Sequence, residues 1–281
     1  MILKKKIVWS TLLILLILCG IAAYFLLKPA KYTVAAFWLD SNDTNSAQID
    51  HSQWQTVLDE YLITDDPSGI NRVDYANLLT EDKEQLVAYI NSLTQLDPRL
   101  YSRAEQFAYW VNLYNALTVN LILNHYPIDS ITNLGQNSLA FGPWDDSIIS
   151  IAGQTLSLND IEHRILRPIW KDYRIHFAVN CASIGCPNLQ AIAYTVSETE
   201  NLLNQAASEY LRHSRGIQFD EDDLILSSIF DWYKDDFGHN TSELLNTLSK
   251  HVDAELAEKL KGYKGRIQYR YNWNLNGQVV N

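Results

Sequence analysis

The run RIHFAVNCASIGCPNL, residues 174–189, carries two thiols, Cys181 and Cys186, in a stretch of small residues. Such a loop turns backbone amides toward a ligand. A thiol there has three possible chemistries. As a thiolate it is a nucleophile, if a base takes its proton and another group holds that base. With its neighbour it is half of a disulfide, which an oxidising compartment permits. With a histidine, His163 or His176, it is a metal ligand, although Cys-x4-Cys is not a usual zinc spacing. The candidate catalytic set is Cys181 as nucleophile, His163 as base and Glu162 beside it, with Asn180 or Asn272 as further orienting groups. Cys181 and Cys186 are the alternative disulfide pair. Neither a metal nor a cofactor is expected.

These residues must be positioned by elements readable from periodicity. Ile175, Phe177 and Val179 alternate with His176, Ala178 and Asn180, which predicts a short strand running into Cys181. Papain-like sites open a long helix with their cysteine. Here Pro187 interrupts, and the next helix is predicted from Ser197, with Glu200 completing its cap, to about Arg212. Glu162 and His163 fall on LNDIEHRILRPIW, an amphipathic helix opened by a Ser157/Asp160 capping box. Its apolar stripe is Leu158, Ile161, Ile165 and Ile169, and a carboxylate close to that stripe needs a partner.

The helix predicted from Ser102 to Tyr126 is apolar nearly all round, so it belongs inside the domain. At 100° per residue, Glu105, Tyr109, Asn112 and Asn115 share about one third of its circumference. They either bridge to neighbouring loops or line a binding site. With Asn180 and Asn272 they form the candidate binding set Glu105, Asn112, Asn115, Asn180 and Asn272.

Other elements are shorter. Helices are predicted around Trp54–Leu62 and Thr80–Leu96, and a small strand over Ile70–Tyr75. SIISIAGQTLSL and GIQFDEDDLILSS read as hairpins. A short helix ends at Gly238, one helix covers Thr241–Leu260, and a closing strand covers Arg266–Tyr271. The class is α+β: one helix-rich domain with short strands, preceded by one transmembrane helix.

Residues 1–6 are basic, and residues 7–27 contain no charge. As a helix the latter would be about 31 Å long, enough to cross a bilayer. Three lysines before it and one after favour an inside N-terminus. We therefore expect a single-pass anchor at a bacterial inner membrane, a tether over residues 28–50, and a domain over 51–281 facing the periplasm or exterior. With a net charge of −11, and four of its basic residues beside the anchor, the chain is not suited to nucleic acid. A protein or small molecule is the expected partner.

The motifs FAYWVNLYNALTVNLILNHYP, FGPW, LSLNDIEHRILRP, RIHFAVNCASIGCPNL, LILSSIFDWYKDDFG and YNWNLN, taken in order, resemble bacterial members of the domain of unknown function 547 family. The resemblance spans about residues 51–276 and implies no particular reaction. Two positions depart from it. The family often has Asp where this chain has Asn272, and lysines where Asp145 and Asp146 follow Trp144. The functional expectation is a non-catalytic binding or scaffolding module with structural cysteines. The alternative is a thiol-dependent hydrolase or acyltransferase acting through Cys181 and His163.

Overall fold

A computed structural model describes residues 32–136, 141–221 and 223–278. Thr33–Asn281 forms one compact unit, the domain. The expected anchor at 7–27 lies outside the described residues. Among those described, no helix is long and apolar enough to cross a membrane.

The domain is α+β. Its helices include α1 (Ser52–Tyr61), α2 (Thr80–Thr94) and α3 (Arg103–Leu123). They continue with α4, in which the π-helical Asp160–Leu166 runs into Arg167–Trp170, then α5 (Ile175–Ala178) and α6 (Thr199–Arg212). Next come α7 (Ile229–Trp232), α8 (Lys234–Phe237), α9 (Thr241–Leu248) and α10 (Ala254–Gly262). Two antiparallel two-stranded ribbons pair β1 (Leu62–Ile63) with β2 (Arg72–Val73) and β3 (Ile149–Ile151) with β4 (Gln154–Leu156). A three-stranded sheet holds β5 (Ile217–Asp220), β6 (Asp223–Ser227) and β7 (Ile267–Arg270), with β6 and β7 parallel. That parallel pair needs a crossover, which α7–α10 supply.

Helix α3 is the axis of the first of two apolar cores. Its Ser102 hydroxyl accepts the Glu105 N–H, which caps the helix. Buried residues cover every side of it, as its all-round apolar sequence requires. The second core gathers Ala206, Tyr210, Phe230, Phe237 and Leu248 around the three-stranded sheet.

Three expectations are corrected. The Ile175–Ala178 segment is a helical turn, not a strand. Ile175 and Ala178 belong to the first core and Phe177 to the second, so alternation reports burial on both sides and not a sheet face. Among the described residues no strand pairs with it. His176 and Phe177 donate locally, to Tyr173 O and Arg174 O, and buried N–H groups must be paired somehow. The helix expected over Thr241–Leu260 is two, because Asp253 accepts the Leu256 N–H and starts a new cap. Helix α6 begins at Thr199, where Thr195, not Ser197, ties the first turn through its hydroxyl and carbonyl.

The segment read as a tether packs on the domain from Thr33 onward. Trp38 is buried, Ala35 N–H donates to Arg164 O, and the Arg103 guanidinium donates to the Trp38 and Leu39 carbonyls. Buried Glu105 accepts the Ile49 N–H at 2.7 Å.

Candidate functional site

Asparagine side chains fix the cysteine loop. Asn115 on α3 donates to Ala178 O at 3.0 Å and accepts the Asn180 N–H at 2.8 Å. Asn180 in turn accepts the Ala182 N–H and donates to Pro187 O, both at 2.8 Å, so it spans the loop from end to end. Ala182 takes φ +56°, in the left-handed region. The far side pairs with the C-terminal segment: Ile184 N–H donates to Asn274 O and Gly185 N–H to Asn272 O. A Cβ on Gly185 would lie 2.8 Å from the Asn272 backbone nitrogen, so this approach requires glycine.

Asn112 works similarly at a distance from the thiols, exchanging hydrogen bonds with the Tyr194 backbone at 2.8 and 2.9 Å. Asn112, Asn115 and Asn180 are therefore spent on backbone. Asn272 is exposed and its Oδ1 accepts the Asn274 N–H, so it orients its own turn.

No bond joins Cys181 and Cys186 in this structure. Cys181 is half-buried and Cys186 buried. Cys181 Sγ lies 3.1 Å from the Tyr271 hydroxyl and 3.3 Å from Ser183 Oγ, and those two oxygens are 3.0 Å apart. Cys186 Sγ accepts the Cys181 backbone N–H at 3.0 Å. Burial pushes the Cys181 thiol up, and the proximity of Cys186 adds to this. For Cys186 burial also acts upward, but Cys181 and Tyr271 favour its charged form and bring it below the usual thiol range.

Glu162 and His163 stand on the π-helical turn of α4, a distortion often found at functional sites. Around them is a network that α4, α5 and α8 assemble. Glu162 accepts from Tyr114 at 3.2 Å and has His176 Nδ1 at 3.5 Å and His163 Nδ1 at 3.7 Å. His176 Nε2 reaches Asp236 Oδ2 at 2.7 Å, and Arg167 Nε donates to the same oxygen at 2.6 Å. Tyr233 stacks on the His176 ring at 4.3 Å and lies under the Arg167 guanidinium. Burial alone would raise the Glu162 carboxyl, but His163, His176 and Arg167 hold it at about 2. Asp236 is likewise depressed, against its burial, by His176 and Arg167. Burial lowers the His163 ring despite Glu162, and Arg167 and His176 lower it further.

The Arg167 contact decides what His163 can do. Arg167 Nη1 lies 3.1 Å from His163 Nδ1. Guanidinium only donates, so Nδ1 accepts and the neutral ring keeps its proton on Nε2. The lone pair that a general base would use is engaged by arginine.

The network and the thiols are neighbours. Tyr114 and Tyr233 each sit in the field of Glu162 and of both cysteines. Arg167, Tyr233, Asp236, Ser183 and Tyr271 join the site beyond the sequence-derived set, and His176, considered there only as a metal ligand, joins it as a partner of Glu162 and Asp236. Only Arg167 had a signal, being four residues past His163 on the same helix.

Outward from Tyr271 runs a file of rings. Tyr271 and Trp273 are 4.5 Å apart, and Trp232 packs on both at 4.9 and 5.6 Å. Trp144 and Phe141 continue it, at 5.4 and 5.2 Å from Trp273. Phe141 is 66% exposed and Trp232 38%, so the file opens to solvent.

Residues 98–211 match the family model described as Protein of unknown function, DUF547. No curated protein matches the chain, and no solved structure does. The matched stretch contains α3, Glu162, His163 and the cysteine loop, whereas Asp236 and Tyr271 lie beyond it. Over residues 98–211, less than half of the chain, the sequence is therefore similar to this family of unknown function.

Proposed function

We propose that the domain is a non-catalytic binding module, held at a bacterial inner membrane by a single span over residues 7–27 and facing the periplasm or exterior. The charge-free run and its flanking lysines support the anchor. The Cys181–Ser183–Tyr271 triangle carries the binding reading. A nucleophilic thiol needs a base in reach. This one is met by two hydroxyls, and the candidate base is engaged by Arg167. The thiol anchors the inner end of the aromatic file, which is the surface offered to a protein or small molecule.

Iodoacetamide labelling of Cys181 against pH, followed by mass spectrometry, tests this. Slow labelling below pH 8, unchanged in His163→Ala, is the expected result. Fast labelling below pH 7 that the His163 variant loses would overturn it.

A second reading, a thiol-dependent hydrolase or acyltransferase, is favoured by one observation: the half-buried Cys181 and the ionised network on the π-helical turn share Tyr114 and Tyr233 as neighbours. There Cys181 Sγ would bond to an acyl carbon. The thiol proton would pass to His163, once Arg167 let go of Nδ1, and then to the leaving group. Water or an acceptor would release the acyl group from the thioester. Turnover of an ester or amide that Cys181→Ala abolishes would establish it.

A further inference from the structure

The rings leading out from Tyr271 come from three separate segments, residues 141–144, Trp232 and 271–273, and form one surface. Phe141 lies over Trp144 with planes 23° apart, and Trp232 over Trp273 with planes 24° apart. Edge contacts at 83° and 62° join the two pairs through Trp273. Each ring is thus braced by another, which fixes a platform at little entropic cost to a ligand. Local backbone is shaped for it. Gly142 takes φ +83°, and a Cβ there would sit 1.9 Å from the Trp144 ring. Trp144 O accepts the Asn159 N–H at 2.9 Å, which ties the loop to α4. An exposed, rigid apolar patch on a strongly acidic protein calls for an occupant.

The groups beside the rings define the ligand. Asp145 follows Trp144, Asp231 precedes Trp232, and Asn272 and Asn274 flank Trp273; all four are exposed. Trp144, Trp232 and Trp273 thus each have an exposed carboxylate or carboxamide on the neighbouring residue of the chain, and Asp145 is held in place by the Asn159 side chain, which donates to it at 2.7 Å. Carboxylates at this rim disfavour anionic polymers and anionic lipid surfaces. They accept hydrogen bonds from hydroxyl groups, and amides both donate and accept. A ligand with flat C–H faces and a belt of uncharged hydroxyls satisfies both features at once. A pyranose ring has that chemistry.

We propose that this platform binds a neutral glycan chain, with pyranose faces stacked on the exposed rings of Phe141 and Trp232 and hydroxyls on Asp145, Asp231, Asn272 and Asn274. This rests on the binding-module reading and specifies its ligand. The thiol-labelling experiment tests that reading by a different signal, so the two can fail separately.

The test uses the full-length chain, with intrinsic tryptophan fluorescence and calorimetry as readouts and cellohexaose and chitohexaose as probes. A decaproline peptide serves as the competing aromatic-groove ligand. Saturable binding of either glycan is expected, weakened about tenfold or more by Trp232→Ala and by Asp231→Ala. Phe141→Ala and Trp232→Ala change exposed rings, and unchanged thermal unfolding would show that they remain folded. Three outcomes would overturn the proposal: binding of neither glycan, glycan binding unaffected by Trp232→Ala, or binding of decaproline alone.

Discussion

The Tyr271 hydroxyl stands 3.1 Å from Cys181 Sγ, joining residues ninety positions apart in sequence. Through it the cysteine loop is coupled to the closing strand and the aromatic file.

Tyr271→Phe removes that hydroxyl while keeping the ring. It leaves Cys181 and Ser183 to each other in a part-buried site, so the expected loss is about 1 kcal/mol. Urea denaturation of the variant measures it. Because Tyr271 favours the charged thiol, Cys181 should be no more reactive toward iodoacetamide below pH 7. Faster labelling would contradict the assigned role.

Gly185→Ala should be costlier. Its Cβ would fall 2.8 Å from Asn272 N and 2.9 Å from Asn272 O, and backbone cannot swing aside as a flexible side chain can. Overpacking of this kind costs about 1–3 kcal/mol. The loop should lift from residues 272–274. A lowered melting temperature and faster alkylation of buried Cys186 are the signs to measure.

Acid should destabilise the domain in two stages. Burial lowers His51 from an ordinary value near 6.5 to about 4. A lowered histidine means that the unfolded chain binds the extra proton first, so stability falls as pH drops from 6.5 toward 4. Glu162, held at about 2 against an ordinary 4.5, contributes stability that is complete above about 4.5 and lost as pH falls toward 2. Urea midpoints measured from pH 7 to 3 should decline throughout. His51→Leu should lessen the upper stage, which His163, also lowered by burial, shares, and Glu162→Gln should lessen the lower one, which Asp236 shares.

Arg167→Leu should release His163 Nδ1 and remove a neighbouring positive charge. The His163 pKa should then rise, which an NMR titration of its ring protons reads directly. The variant also deprives Asp236 of a partner at 2.6 Å. That pair is only partly buried, so about 1–2 kcal/mol is the expected cost. An unmoved His163 titration would mean that Arg167 does not set its protonation.

By itself the sequence determined the features with a short range. The Ser102 and Ser157 caps, the all-round apolar α3, the β3–β4 hairpin and the inward Glu162 follow from spacing and side-chain chemistry within a few residues. The inward asparagines of α3 were also legible there, although their service to the backbone of residues 178–180 and 194 was only one of two readings. Alternation misled at Ile175–Ala178, since a segment wedged between two cores is buried on every side and its period carries no sheet signal. Tertiary structure alone decided what surrounds the reactive groups. Arg167 and Asp236, sixty-nine residues apart, meet at His163 and His176, and Tyr271 reaches Cys181. These meetings are set by how α8 and the C-terminal segment dock on the shared core. No local pattern records that docking, because its driving force is the burial of apolar surface, which is non-directional.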